Sequence, residues 1–510
     1  MVDDRSALLQ QISCSRDGIV KVRPGALGHL PAKRLPVGAT LYRAGVMKEG
    51  HVLQSGGGGI FAGALIVDSA RVDPRERVLV IYGWVNLIDT ARFIQSINGR
   101  MWPATERMSA NVGDTLRWQL VNATAIEHPM HLHGFYFHVA SHGDITGDTI
   151  IASPERELAV TENLRNWGVA SIAWVPTRGG DWLFHCHKSD HMSATQTAAL
   201  RGLPPGPPPV HTNGAEHIQH DMGGLVLGVS VRGDPRADVA TTTAPSRRLR
   251  LEITERPKFY HGIATAYAFR LASDSRNAGT NGVEGIPGPL FALERGEPVE
   301  VAIINRLKTA STVHWHGIEL ESYYDGVAGW SGVPGSLAPI LAPSDSFVAR
   351  FTPPRSGTFM YHAHVNESTQ LTSGLYAPIV VTDNGRVPAN DHVILFSQNG
   401  PDDLAKDAVN GKDIPDTLRL HASVPKRLRL INITANDDVS GDLMSGKTVA
   451  MWRRVAKDGA SLPLARQRED SARFHFGPGE ILDVRVTLAR GLHRLHIRAF
   501  TDFDIPVLVK

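Results

Sequence analysis

Cysteine is nearly absent from this chain: Cys14 and Cys186 are the only two in 510 residues. That count excludes a disulfide framework once Cys186 is taken by another task, and Cys14 reads as an incidental thiol. Net charge is nearly absent too, at +2 from 53 basic and 51 acidic side chains. Such balance argues against nucleic acid or an anionic membrane surface as main partner. No apolar run approaches the ~18 residues that a membrane span requires. The opening Met1-Val2-Asp3-Asp4-Arg5-Ser6 lacks the basic-then-apolar order of a secretion signal. Turn formers, by contrast, are plentiful. The 49 glycines and 32 prolines make up about one residue in six, above the usual ~12%.

Histidine carries the chemistry. In His185-Cys186-His187 a cysteine stands between two histidines. On a strand, side chains alternate faces, so the imidazoles leave one side and the thiolate the other. A metal on the sulfur is then joined through backbone to metals on the histidines, a geometry for moving electrons between two sites. Three further pairs have the i, i+2 spacing that puts both rings on one strand face: His131-Leu132-His133, His314-Trp315-His316 and His362-Ala363-His364. Imidazole suits copper, and a thiolate with two imidazoles and a weak axial thioether is the blue-copper set. A single such pair is usually a polar strand face. Four of them, one enclosing Cys186, are not.

These four motifs resemble the signatures of the multicopper oxidases: HxHG, HxH, HPxHLHG and HCHxxxH. The likeness runs over about residues 76–510. It implies a type 1 copper on His128, Cys186 and His191. It further implies a trinuclear cluster with His131 and His314 on a type 2 copper, and His133, His185, His187, His316, His362 and His364 on a type 3 pair, four coppers per chain. Counting along the family pattern, the axial type 1 ligand falls on Gln196 or Met222. Met222 is preferred because Met222-Gly223-Gly224 directly precedes the apolar run 225–231, the only nearby stretch able to form a closing strand. The Pro-rich stretch after Gln196 is not, and residues 197–219 then form an inserted loop. Leu225, leaving no fourth ligand, is the remaining alternative. His211, His217 and His220 in the insert either hand copper to the site or bind nothing. Asp325, in an Asp-Gly turn after His316, matches the family's proton-relaying carboxylate, although Asp-Gly is also ordinary turn chemistry. At the family's second acid stands Ser189, with Asp190 beside it as a possible substitute.

Internal repeats locate the domains. An apolar segment ending in Asn recurs at 113–122, 296–305 and 425–432, each after a turn with Gly and Pro. Short alternating segments between such turns indicate an all-β sandwich, and the resemblance implies three cupredoxin-like Greek-key domains, at 76–232, 249–385 and 386–510. The first two copies run on into histidines. The third runs into Ala435-Asn436-Asp437-Asp438 and carries Arg498 where a second histidine would stand, so it is expected to be copper-free and structural. Residues 1–75 read as a partial cupredoxin-like remnant, whose missing front would also account for the missing export signal in a family mostly periplasmic or secreted. The HCH domain precedes the HxHG domain, a permuted order relative to a laccase. A polar linker, 232–246, can span about 50 Å, so one chain could close its own cluster, although a neighbouring subunit could also do so.

The implied activity is laccase-like: one-electron oxidation of a phenolic or similar reductant coupled to four-electron reduction of dioxygen to water. Alternatives are a metal oxidase acting on Fe(II), Cu(I) or Mn(II), and a non-catalytic copper-binding cupredoxin protein. A copper nitrite reductase shares the fold but has no use for HCH or eight cluster histidines.

Overall fold

The computed structural model describes residues 9–14, 18–22, 37–48, 51–53, 61–67, 76–85, 93–145, 147–193, 211, 213–235, 246–400 and 405–510. Gln196 and most of the linker lie outside them. Among the described residues the regular structure is almost wholly β-strand. Among the described residues no helix is long and apolar enough to cross a membrane.

Three double-layered units follow one another, each opened the same way. Arg77–Val85 pairs parallel with Leu116–Asn122, Arg247–Tyr260 with Val299–Asn305, and Asp391–Asn399 with Lys426–Asn432. A parallel pair of near neighbours requires a crossover to the second sheet, so each unit closes as a sandwich. The apolar faces meet in three separate cores: around Trp118, Trp174 and Trp182 in the first, Trp315 and Tyr361 in the second, Trp452 and Phe474 in the third.

The repeated asparagine has a structural cause. Asn122, Asn305 and Asn432 are fully buried. Each accepts the backbone N–H two residues on, at 2.9, 2.9 and 3.0 Å. Each also donates its amide to a carbonyl farther round the loop, Ile126, Thr309 or Asp437. This Asx turn ends the strand and sets the exit direction of the loop that leads, in the first two units, to His128 and His314.

The five described strands between Leu9 and Val67 form a small antiparallel sheet. Its strand Gly38–Lys48 lays Ala39 and Leu41 against Val80, Val121 and Val169 of the first sandwich. The first and second sandwiches are stitched directly. Gly332 pairs with Asp181 of the strand Gly180–Cys186, and Ser322 Oγ donates to the Asp181 carbonyl at 2.6 Å. The third sandwich packs against both: Asp458 accepts from the N–H groups of Val160 and Thr161, each at 3.1 Å, and Thr358 Oγ1 donates to Asp483 at 2.8 Å.

Candidate metal centre

The strand Gly180–Cys186 carries the core of the site, paired antiparallel with His128–Leu132 so that Met130 faces Cys186 and His131 faces His185. Alternation sends Cys186 into the apolar core with Trp118, Phe184 and Leu225, while His185 and His187 turn toward the second sandwich. That sandwich presents its own histidines through a reciprocal backbone bridge between His314 and His362, at 2.8 and 3.1 Å.

On the sulfur side three ligand atoms converge. Cys186 Sγ lies 3.2 Å from His191 Nδ1 and 3.7 Å from His128 Nδ1, and the two nitrogens are 3.1 Å apart. Thr124 Oγ1 sits 2.9 Å from His128 Nε2, which leaves Nδ1 free to face the sulfur. All three residues are buried, and only His191 keeps any exposure. Burial lowers the His128 imidazole to about 3 and pushes the Cys186 thiol up. A metal cation must therefore displace the thiol proton to bind, and in exchange meets two uncharged nitrogens and a thiolate, the donor set that suits copper.

On the other side eight imidazoles crowd together, and their outer nitrogens are largely spoken for. His131 Nδ1 donates to the Val160 carbonyl at 2.9 Å, and His314 Nδ1 to the Asp325 carbonyl at 2.8 Å. His133 Nδ1 donates to Asp325 Oδ2 at 2.8 Å. His185 and His362 Nδ1 donate to the carbonyls of Cys186 and Ala363. A neutral imidazole with Nδ1–H so used bears its lone pair on Nε2, and these lone pairs meet head on. His131 and His314 Nε2 are 3.4 Å apart, and His133 and His185 Nε2 are 2.9 Å apart. His187, His316 and His362 form a third set within reach of one ion. His364 lies 5.2 Å from His133, ring to ring. Further buried nitrogens on His187, His316, His362 and His364 have no hydrogen-bond partner among the described residues. Burial lowers His133 to about 4 and His362 to about 3, so repulsive facing lone pairs rather than protons occupy the centre. Only cations resolve that arrangement, and the residues fit a copper cluster. One chain supplies both halves.

Asp325 is fully buried. Burial alone would raise its carboxyl, yet the pull of His133 and His314, with their hydrogen bonds, holds it well below the usual range. It orients two ligands at once, through its side chain and its carbonyl. Met222 is buried beside Met192, Ile218 and Trp102. Leu225 shares the Cys186 core and exchanges backbone bonds with Cys186 and His191, at 3.0 and 2.9 Å. Where residues 197–219 are expected to be an inserted loop, 214–219 are instead helical, in the segments Gly214–Glu216 and His217–Asp221.

Of the two positions weighed for the second acid, Ser189 is buried and Asp190 is exposed. Asp190 turns outward beside His191 Nε2, at 3.7 Å. A second acid beside the cage, not foreseen from the sequence, is Glu367, three residues past His364 on the helix Glu367–Thr372, with Oε1 3.3 Å from His364 Nε2. Burial raises its carboxyl to about 8. The spacing was readable as His-x-x-Glu, but only the fold brings that helix against residues 189–192. The third sandwich is also more than a prop. Its Ala435 carbonyl accepts the Ser189 N–H at 2.9 Å, and its Asn436 side chain accepts the Asp190 N–H at 3.1 Å, fixing the segment between Cys186 and His191. Its Gly479 lies so close to His187 that a Cβ there would stand 2.6 Å from the ring.

A thiolate–imidazole set joined by one strand to a cage of eight imidazoles, on β-sandwich domains, defines a copper protein with linked centres. Two family models, both described as multicopper oxidase, match residues 80–202 and 266–386, so the chain carries two multicopper oxidase domains. Similar curated proteins include a copper resistance protein A homolog of Pseudomonas syringae pv. tomato, 34% identical over 125 residues, covering 24% of this chain and 20% of that protein. Laccase-2 of Fomitopsis schrenkii is 36% identical over 124 residues, covering 23% and 21%. The matched stretches thus span about a fifth of these relatives' length. Among solved structures, a multi-copper oxidase from Pseudomonas thermotolerans aligns over 52% of this chain and 65% of its own, at 23% identity and a TM-score of 0.42.

Proposed function

We propose that the chain is a copper-dependent oxidoreductase that takes single electrons from a reductant at His128, Cys186 and His191 and delivers them to dioxygen at the eight-histidine cage. The supporting observation is the segment His185-Cys186-His187 at the end of the strand Gly180–Cys186, which contributes to both groups of side chains. Four coppers per chain, one type 1, one type 2 and a type 3 pair, would supply the redox chemistry. The chain's own residues hold the geometry. His191, the one ligand of the sulfur set with exposure, faces the reductant. Backbone carbonyls fix the imidazole tautomers, and Asp325 orients His133 and His314 and is placed to pass protons inward. Met222 is taken as the axial ligand. The same reading takes 76–232 and 249–385 as the copper domains, 386–510 as a copper-free domain and 1–75 as a partial copy.

A phenol or similar small reductant is the first reading of the substrate, and a metal ion the second. Dioxygen uptake by the copper-loaded chain, measured in parallel with a phenol and with Fe(II), tests both. Four phenols oxidised per dioxygen consumed is the expected result. Rapid Fe(II) oxidation with little phenol turnover would reverse the ranking, and uptake with neither would overturn the oxidase reading.

A further inference from the structure

The two-residue turn Asp458-Gly459 of the third sandwich joins the strands Met451–Lys457 and Ala460–Ser461. It sits where all three sandwiches meet. A Cβ on Gly459 would collide with Phe359 of the second sandwich, and one on Gly357 with the Gly459 carbonyl. A Cβ on Gly317, the residue after His316, would stand 3.1 Å from Phe359 and 3.8 Å from Val160 of the first sandwich. Asp-Gly is ordinary chemistry for such a hairpin, and it accounts for the left-handed φ of +48 and +82. The carboxylate needs another explanation. Asp458 is 1% exposed, and its side chain gathers three backbone N–H groups. Oδ1 accepts from Ile481 at 2.8 Å, within the third sandwich, and Oδ2 from Val160 and Thr161 at 3.1 Å each, in the first. The Asp458 carbonyl accepts from the Tyr136 hydroxyl.

The residues so held present their acceptors to the cage. The Val160 carbonyl accepts from His131 Nδ1 at 2.9 Å. Thr161 Oγ1 lies 3.1 Å from His131 Nδ1 and 3.3 Å from His316 Nε2. Those two imidazoles come from different sandwiches and stack with centroids 3.9 Å apart, 12° from parallel. The Val160 carbonyl and the Thr161 N–H are the two ends of one planar peptide unit. A carboxylate on the N–H side therefore fixes the direction of the carbonyl that His131 uses. Hydrogen bonds to an ionised acceptor are roughly twice as strong as neutral ones, so this peptide is held firmly from outside the cage.

We propose that Asp458 is a positioning residue for the cage: through the Val160–Thr161 peptide it sets the direction of His131 and the reach of Thr161 to His316. The third sandwich thereby governs copper binding at His131 while contributing no ligand. The assignment rests on the oxidase reading, in which His131 and His314 hold the type 2 copper.

The test compares copper-loaded Asp458→Asn and Asp458→Gly with the unaltered chain, by copper per chain after a chelator challenge and by electron paramagnetic resonance. The asparagine keeps the shape but turns an N–H donor toward one of the three backbone donors. The glycine keeps the left-handed turn and removes the carboxylate. Both should retain the blue absorption, change or lose the type 2 signal, and bind that copper about tenfold or more weakly. Thr161→Val, which removes Oγ1, should disturb the same signal. Arg466→Ala removes an ion pair to Glu157 across the same two sandwiches, at 3.1 Å, and should leave the type 2 signal as it was. Four retained coppers with an unchanged type 2 signal in the Asp458 variants would overturn the assignment. Equal loss in Arg466→Ala would overturn it too, since any contact between the sandwiches would then serve. If neither Asp458 variant folds, an unchanged signal in Thr161→Val overturns it and a changed one supports it. Unaltered protein that takes up copper and never shows a type 2 signal would instead defeat the oxidase reading beneath it.

Discussion

His133 Nδ1 lies 2.8 Å from Asp325 Oδ2 across 192 residues of sequence, and the same Asp325 offers its backbone carbonyl to His314 Nδ1. One buried residue thereby sets the orientation of a histidine from each of the first two sandwiches. Asp325→Ala is expected to lower copper retention or turnover about 10–100-fold. Asp325→Asn can still accept from His133, so it should keep its copper, and its turnover then isolates the contribution of the charge. Copper retained against a chelator, alongside kcat, separates the two.

Cys186→Ser should abolish the blue absorption and all turnover. The opposite face of the strand is untouched, so the protein should lose one copper per chain and keep the rest. Metal analysis with absorption spectroscopy checks this. Loss of every copper would mean that the two ligand groups do not assemble independently.

Gly479→Ala tests the reach of the third sandwich. The glycine has φ +84 and its missing Cβ would stand 2.6 Å from His187. A side chain there must displace either the loop or the imidazole. Copper at the cage should fall while the blue absorption persists. Unchanged copper content would show that the third sandwich does not wall the cage.

Removing copper should make the fold acid-sensitive. Burial depresses His128, His133 and His362 to about 3 to 4, against ~6.5 in an unfolded chain. The unfolded state then binds more protons between these values, so stability is full above about pH 6.5 and is lost as pH falls toward 3. Thermal unfolding of the copper-free protein should shift downward across this window. With copper bound, the lone pairs are occupied and the onset should move to lower pH.

The convergence of the paired histidines was legible in sequence because strand alternation turns an i, i+2 spacing directly into a shared face. The β-sandwich architecture was legible because the Asn-terminated segments repeat, and Asn122, Asn305 and Asn432 prove to close the same turn. Glu367 was not, since a carboxylate three residues past His364 means nothing until its helix is packed against residues 189–192. The His217–Asp221 pair was hidden for a similar reason: loop histidines are usually solvated, whereas His217 is buried with Nδ1 3.0 Å from Asp221 Oδ2. Gly479 and Asn436 act across domains, where no local pattern can report a contact.

Copper per chain after loading tests the central claim most directly. Close to four, with the blue absorption, is the predicted result, since His128, Cys186 and His191 take one and the eight cage imidazoles take three. A value near one would mean that the sulfur side forms while the cage between the two sandwiches does not, and a value near zero would contradict the account entirely.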